Sequence, residues 1–469
     1  MRGTKEFTAE AAESAENNRI LPKNGRQLVI SVFVFITGMI WLPLRPLRPL
    51  RLNSTVLGWE EIVIRKLLIG ILFSITVAAQ PPDSTARPKI RTITAFIRLE
   101  RQNYTSQIAN AVAMLKMAKA EFKIAGYEVE TVRITTQPFP EIIKDLGPQQ
   151  ALDFFHEYDR LAQREGLAAD IGPAMVADSD DPSRADLLAQ IIATTQSINA
   201  FILVADDSGI HWNAVRAAAR VMKYLEEHTT HSEGNFRFAA GAFPPAIAPF
   251  FPVSYTSGPG HQFAIGMESA GIVQRVFSTP NLDFNSAADQ LTAALGKEAQ
   301  KVESIARSLE TGTGWRYEGI DLTPVPLKEI SIGAAMESLL QNQIGSPGSL
   351  STALAITSAI HKIPVRQTGY SGLMLPVLED SVLAKRWEAG TISRDSLMSY
   401  SSVCSTGLDA IPLPGDISLH ELENIISDMA SLAVKWHKPL SSRLLPVAGK
   451  HAGDMTEFSS PYLVNIRIR

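Results

Sequence analysis

The sequence predicts an α/β protein, with a single large parallel sheet or barrel over residues 89–469 and a non-globular leader before it. Three observations predict this. β-branched runs alternate with helical repeats from Lys89 onward, no Gly/Ser-rich linker divides residues 89–469, and the apolar stretches before residue 80 follow neither pattern.

Residues 89–97 (KIRTITAFI) read as a strand because β-branched side chains favour extended backbone. Ile108, Val112, Leu115, Ala118 and Phe122 then recur at helical spacing, with Gly126 placed to close the helix. Residues 127–134 form a second strand, and strand, crossover helix and strand in this length imply a parallel pair. The pattern recurs in residues 200–204 (AFILV), a fully apolar strand, residues 215–225, a helix, and residues 236–242, a strand. Leu291, Leu295, Val302, Ile305 and Leu309 mark a long amphipathic helix. Ser418-Leu419-His420-Glu421 is a capping box that opens a last helix, whose buried face is Leu422, Ile425, Met429, Leu432 and Trp436.

The leader is a different material. Residues 1–27 are polar. Residues 28–42 (LVISVFVFITGMIWL) are apolar but shorter than the roughly 20 residues a membrane span needs. Arg65-Lys66, the apolar residues 67–77 (LLIGILFSITV) and Ala78-Ala79 together have the charged, apolar and small-residue regions of a signal peptide cleaved after Ala79. The chain thus divides into a leader at 1–62, a signal-like segment at 63–79, a Pro-containing linker at 80–88 and the α/β domain at 89–469. Translation starting near Val63 would make 1–62 an over-extended gene start. Export to the periplasm or cell exterior is the expectation, and membrane anchoring through the two apolar runs is the alternative.

The 469 residues are 45% hydrophobic and 20% charged, with a formal net charge of -4, so nothing suggests a nucleic-acid partner. The lone cysteine, Cys404, excludes an internal disulfide, and no Cys/His spacing matches a structural zinc site. No glycine-rich nucleotide loop, HExxH or GxSxG is present; Gly369-Tyr370-Ser371-Gly372 is one residue short of the last.

In parallel α/β folds ligands bind beyond the carboxyl ends of the strands, so polar residues there are the ones to read. These include Arg133 and the following Thr135-Thr136-Gln137, Asp206-Asp207-Ser208, and Asp321. Denser stretches lie at residues 331–337, 345–348, 369–380, 402–416, 438–446 and 449–454. Many of these residues have ordinary structural uses. Ser331 and Ser349 precede helical runs and suit N-caps, Asp321 and Asp416 sit in Pro-containing turns, Glu379-Asp380 can begin a helix, and His437-Lys438 close one. Glu337, Cys404, Asp409 and Arg443 fit such uses less well; Arg443 in particular lies in an apolar strand pattern and needs an anionic partner if buried.

The runs GIDLTPVP, SIGAAME, GSPG, TGYSGLMLPVLED, SVCSTGLDAIPLPGD, KPLSSRLLP and AGD, with KIRTITAFI, VRITTQPFP and RFAAGAFPP upstream, resemble domain-of-unknown-function family 711 over about residues 89–469. That family is described as similar to pyruvate formate-lyase, so the resemblance implies a barrel like that of the glycyl-radical enzymes, with Cys404 matching the catalytic cysteine on its inner loop. One departure weighs against radical chemistry. The string most like a radical-glycine motif, Arg366-Gln367-Thr368-Gly369-Tyr370, lies upstream of Cys404, and residues 465–469 contain no glycine.

The leading expectation is an enzyme acting on a small anionic metabolite, a carboxylate. Arg443, Lys438 and Arg133 would hold the anion with Tyr370, Ser371 and Ser346, Asp409 or Glu337 would act as acid or base, and Cys404 as nucleophile or polarisable lining, a free and partly accessible thiol in the pocket. A binding protein with the same pocket and no chemistry is the second reading. The third is a hydrolase or lyase in which Asp321, Glu337, Asp409 and Asp416 gather a divalent cation.

Overall fold

A computed structural model describes residues 87–404 and 406–469. The leader, the signal-like segment and most of the linker expected from the sequence lie outside the described residues. Within them, no helix is long and apolar enough to cross a membrane.

The strands are β1 (Lys89–Phe96), β2 (Val129–Thr135), β3 (Ala168–Pro173), β4 (Ile198–Asp206), β5 (Gly209–Ile210), β6 (Phe238–Ala242), β7 (Gln262–Glu268), β8 (Arg316–Asp321), β9 (Gly407–Pro414) and β10 (Leu440–Val447). All join one ten-stranded sheet in the order β8-β7-β1-β2-β3-β4-β6-β10-β9, with β5 hairpinned onto β4. The five central strands β1, β2, β3, β4 and β6 run parallel. Their near-continuous apolar character follows from burial on both faces, and β4 is the plainest case, with Ala200 to Ala205 buried throughout.

The sheet is mixed rather than wholly parallel, which corrects the expectation. β7 pairs antiparallel with β1, and β10 antiparallel with β6. The cause lies in the connection from β6 to β7. It carries no crossover helix, and instead residues 243–261 cross one face of the sheet, so β7 enters the sheet without the return that a parallel partner needs. Thr94 Oγ1 donates to the Pro249 carbonyl (2.8 Å), Thr135 and Ser254 hydroxyls share a 2.8 Å bond, and the Thr256 amide donates to the Thr136 carbonyl (3.0 Å). The Phe250 ring lies so close to Gly266 on β7 that a Cβ there would stand 2.6 Å from it. Glycine is required at that position because the crossing segment leaves no room for a side chain.

Helices cover the other face. Tyr104–Ile124 packs on β1 and β2, Trp212–His228 on β4, β6 and β10, and Leu419–Trp436 on β4, β6 and β10. The amphipathic helix expected near Leu291 is the 30-residue Phe284–Thr313, capped by Asp283. Ser418 accepts from the Glu421 amide (3.1 Å), as its capping box predicts, and Ser331 caps Ile332–Leu340 by accepting from Ala334. Residues 366–376 touch both edge strands. Arg366 and Thr368 hydrogen-bond to Ile320 on β8, and Pro376 bridges to Asp409 on β9.

Candidate functional site

A cavity of about 810 Å³ opens at the amino ends of the parallel strands. Arg91 comes from β1, Arg133 from β2, Ala168 and Asn199 from the first residues of β3 and β4, and Arg237 from just before β6. For β1, β3, β4 and β6 this is the opposite end from the one expected, whereas Arg133 stands near the carboxyl end of β2. At the carboxyl ends the polar residues are engaged in turns. Gln137 exchanges two 2.9 Å bonds with the Leu99 backbone, and Asp206 accepts from the Ser208 amide and hydroxyl. Arg133 itself lies inside β2, two residues before its end.

Four arginines line the cavity among the described residues, and their circumstances differ. Arg443, on β10, donates Nε to Asp409 Oδ1 at 2.7 Å and Nη2 to Glu379 Oε1, with one face over the Phe236 ring at 4.6 Å. Burial opposes its charge, but the two carboxylates win and raise its pKa above the ordinary value. Arg91 donates Nη1 to Glu130 Oε2 at 2.6 Å, stands 4.0 Å from Glu379 Oε2, and lies against Tyr462. Burial opposes its charge too, and Glu379 and Glu130 again raise its pKa.

Arg133 has no such partner. Its Nε donates to Thr131 Oγ1 (3.2 Å) and its face covers Phe251 at 4.9 Å, but among the described residues no carboxylate pairs with it. Burial, with the positive charge of Arg91 next, pushes its pKa down to about 9 against the opposing charge of Glu379. Arg237 also makes no ion pair among the described residues; Nη1 and Nη2 donate to the carbonyls of Ile198 (2.9 Å) and Ile192 (2.8 Å), and burial pushes its pKa down to about 10 against the opposing charge of Asp159. A half-buried guanidinium that makes no ion pair gains from an arriving anion, and this cavity holds two of them.

A small side pocket of about 20 Å³ adjoins it, sharing Phe250, Phe251, Met374 and Arg443, and is lined by Tyr370, Asp409 and Ser441. Behind Arg91, Glu130 is hydrogen-bonded to Glu268. Burial and the Glu130 charge push Glu268 up to about 8, while Arg91 holds Glu130 below the usual carboxylate range despite burial.

Of the residues expected in the site, Arg133, Arg443, Asp409 and Tyr370 are brought together. The rest are not. Cys404 is 1% exposed in the hydrophobic core, so the accessible thiol expected from its loop is not found. Lys438 donates to the Ser401 carbonyl (3.0 Å) near Cys404, away from the cavity. Glu337 is clasped by Arg386 through two bonds of 2.7 and 2.9 Å. Ser346 stands in the turn before Ser349–His361, where its carbonyl accepts from Ser349. Asp321 is buried and accepts from Thr323, Tyr370 and Ser371, so it and Ser371 pin the loop after β8. Asp416 is exposed and pairs with His451 at 2.9 Å. The four acids expected to gather a cation are therefore dispersed, and among the described residues no group of three or more His, Cys, Asp or Glu is placed to hold a metal ion.

Sequence reasoning missed Arg91, Arg237 and Glu379. Asp380 is indeed a helix cap, accepting from Val382 and Leu383, but its neighbour Glu379 turns into the cavity. The signal for Arg91 was present: a cation inside the β-branched run KIRTITAFI raises the same question as Arg443 in its strand.

Comparison with known proteins fits this architecture to a family. The model for "Uncharacterised ACR (DUF711)" matches residues 84–459. The chain belongs to this family. A UPF0210 protein of Pyrobaculum arsenaticum is 30% identical over 72% of this chain and 78% of its own length. UPF0210 protein MJ1665 of Methanocaldococcus jannaschii is 25% identical over 68% and 69%, and a UPF0210 protein of Bifidobacterium longum subsp. infantis 25% over 87% and 90%. None of these names states a reaction or a substrate.

Proposed function

We propose that the cavity binds a small carboxylate-bearing metabolite, with Arg133 receiving its anionic group and Glu379 and Asp409 as the acid–base candidates. The observation that carries this is the contrast between Arg443, clasped by two carboxylates, and Arg133, which forms an ion pair with none of the described residues and feels Glu379 only at longer range. A guanidinium backed by an aromatic face offers a planar edge that suits bidentate contact with a carboxylate. Glu379 Oε2, 4.0 Å from Arg91 and in the cavity wall, is a carboxylate oxygen facing the same cavity as Arg133.

The reading takes the sheet as closed into a barrel. Residues 366–376, bonded to β8 at one end and to β9 at the other, support closure by bridging the two edges. A closed sheet would shield the site from water and strengthen its electrostatics.

Calorimetric titration of the full chain with a panel of short carboxylates tests the proposal. One or more should bind, and Arg133→Met should abolish that binding. Equal binding by Arg133→Met would overturn it. Turnover of a bound carboxylate would establish an enzyme, and binding without turnover the second reading, a binding protein.

A further inference from the structure

The same cavity carries a second guanidinium that makes no ion pair, and its position bears on the kind of ligand. Arg133 lies on β2 and Arg237 immediately precedes β6. Between them in the sheet stand only β3 and β4. Three strand spacings of about 4.8 Å put the two backbones about 14 Å apart, and each side chain then extends into the cavity they share. Arg237 uses two donors on carbonyls, and a guanidinium has five, so it retains N–H groups for a ligand. The strands between them contribute Ala168 at the start of β3, Thr195, Gln196 and Ser197 in the turn before β4, and Asn199 on β4, whose Nδ2 is bonded to the Ala169 and Ser197 carbonyls, and none of these is charged. Glu233, which also lines the cavity, accepts from the Ser459 hydroxyl and the Ser460 amide. Glu379 pairs with Arg443 and stands 4.0 Å from Arg91, and it acts on Arg133 only at longer range.

Two separated guanidinium groups without ion pairs, with uncharged residues of β3 and β4 between them, match one ligand shape. Resting on the reading of this cavity as a carboxylate site, we infer that its ligand is an elongated dicarboxylate, one carboxylate held by Arg133 and the other by Arg237. A monocarboxylate would leave one guanidinium desolvated and unpaired, which is the more costly arrangement. The volume agrees with this, because about 810 Å³ exceeds what a short monoacid fills.

The test compares saturated α,ω-dicarboxylates of increasing length with monocarboxylates of equal carbon number, by calorimetry on the full chain. At the best length the dicarboxylate should bind at least tenfold more tightly than its monoacid. Arg237→Met should lower the dicarboxylate's affinity at least tenfold, to that of the monoacid on the unaltered chain. Because Arg237 also ties Ile192 and Ile198, Arg237→Lys serves as a second variant that keeps a cation, and it should retain part of the preference. Should both variants fail to fold, the comparison on the unaltered chain still decides. Equal affinities of diacid and monoacid at every length, with binding that requires Arg133, would overturn the dicarboxylate inference and leave the carboxylate site standing. Binding of neither class would overturn both.

Discussion

Arg443 and Asp409 face each other across the parallel pair β9–β10, Nε to Oδ1 at 2.7 Å, with Glu379 closing the other side of the guanidinium. All three are buried. Breaking such a pair leaves an uncompensated charge inside the protein. Arg443→Lys keeps the charge but cannot reach both carboxylates from one planar fork. It should cost about 3 kcal/mol of stability, of the order seen for broken buried pairs. Urea unfolding measures this, and a loss near zero would contradict the clasp.

Glu268 predicts a pH dependence. Its folded pKa is raised, to about 8, by burial and by Glu130 beside it. The folded state therefore keeps a proton that the unfolded state loses near the ordinary carboxylate value of about 4.3. Stability from this group is fully present below the unfolded pKa and declines as pH rises toward the folded one. Glu268→Gln, which stays neutral throughout, should melt higher than the parent at pH 8.5 and close to it at pH 5 (both pH values chosen roughly to bracket the shift). A parent whose melting temperature rises over that window, with the variant following it, would contradict the assignment.

Cys404 should behave as a packing residue. At 1% exposure its sulfur should react with an alkylating reagent only as fast as the chain unfolds. Cys404→Ala should cost about 1 kcal/mol through the small cavity it leaves, with carboxylate binding intact. Rapid labelling of the native protein, with protection by ligand, would return this thiol to the site.

Glu337 is held by Arg386 in a partly exposed ion pair remote from the cavity. Glu337→Gln should cost no more than about 1 kcal/mol and leave carboxylate affinity unchanged. A loss of binding would place the residue in a site the cavity does not include.

The strand and helix order was legible because it rests on local signals. β-branched runs gave β1 and β4, helical spacing gave Tyr104–Ile124 and Phe284–Thr313, and the Ser418 capping box gave Leu419–Trp436. The antiparallel entry of β7 was not legible, since it depends on residues 243–261 lying across the sheet, which no periodicity encodes. The site was half legible. An arginine in an apolar strand stood out at Arg443, and Asp409 stood out in the Gly- and Pro-containing segment it shares with Cys404. The partner Glu379, however, resembled a helix start, and Arg237 sits in a segment with no repeat to mark it. Expecting the pocket at the carboxyl ends of the strands also directed attention to Asp206, Asp321 and Gln137, whose side chains serve turns.

The most direct test of the central claim is the melting temperature of Arg133→Met against the unaltered chain, each with and without a saturating short carboxylate. If Arg133 is an unpaired guanidinium awaiting an anion, removing its charge should stabilise the unliganded protein, by about 1 kcal/mol on the scale of buried-charge replacements. Ligand should then raise the melting temperature of the parent alone. An Arg133→Met protein that melts lower without ligand, and still gains stability from the carboxylate, would contradict the account.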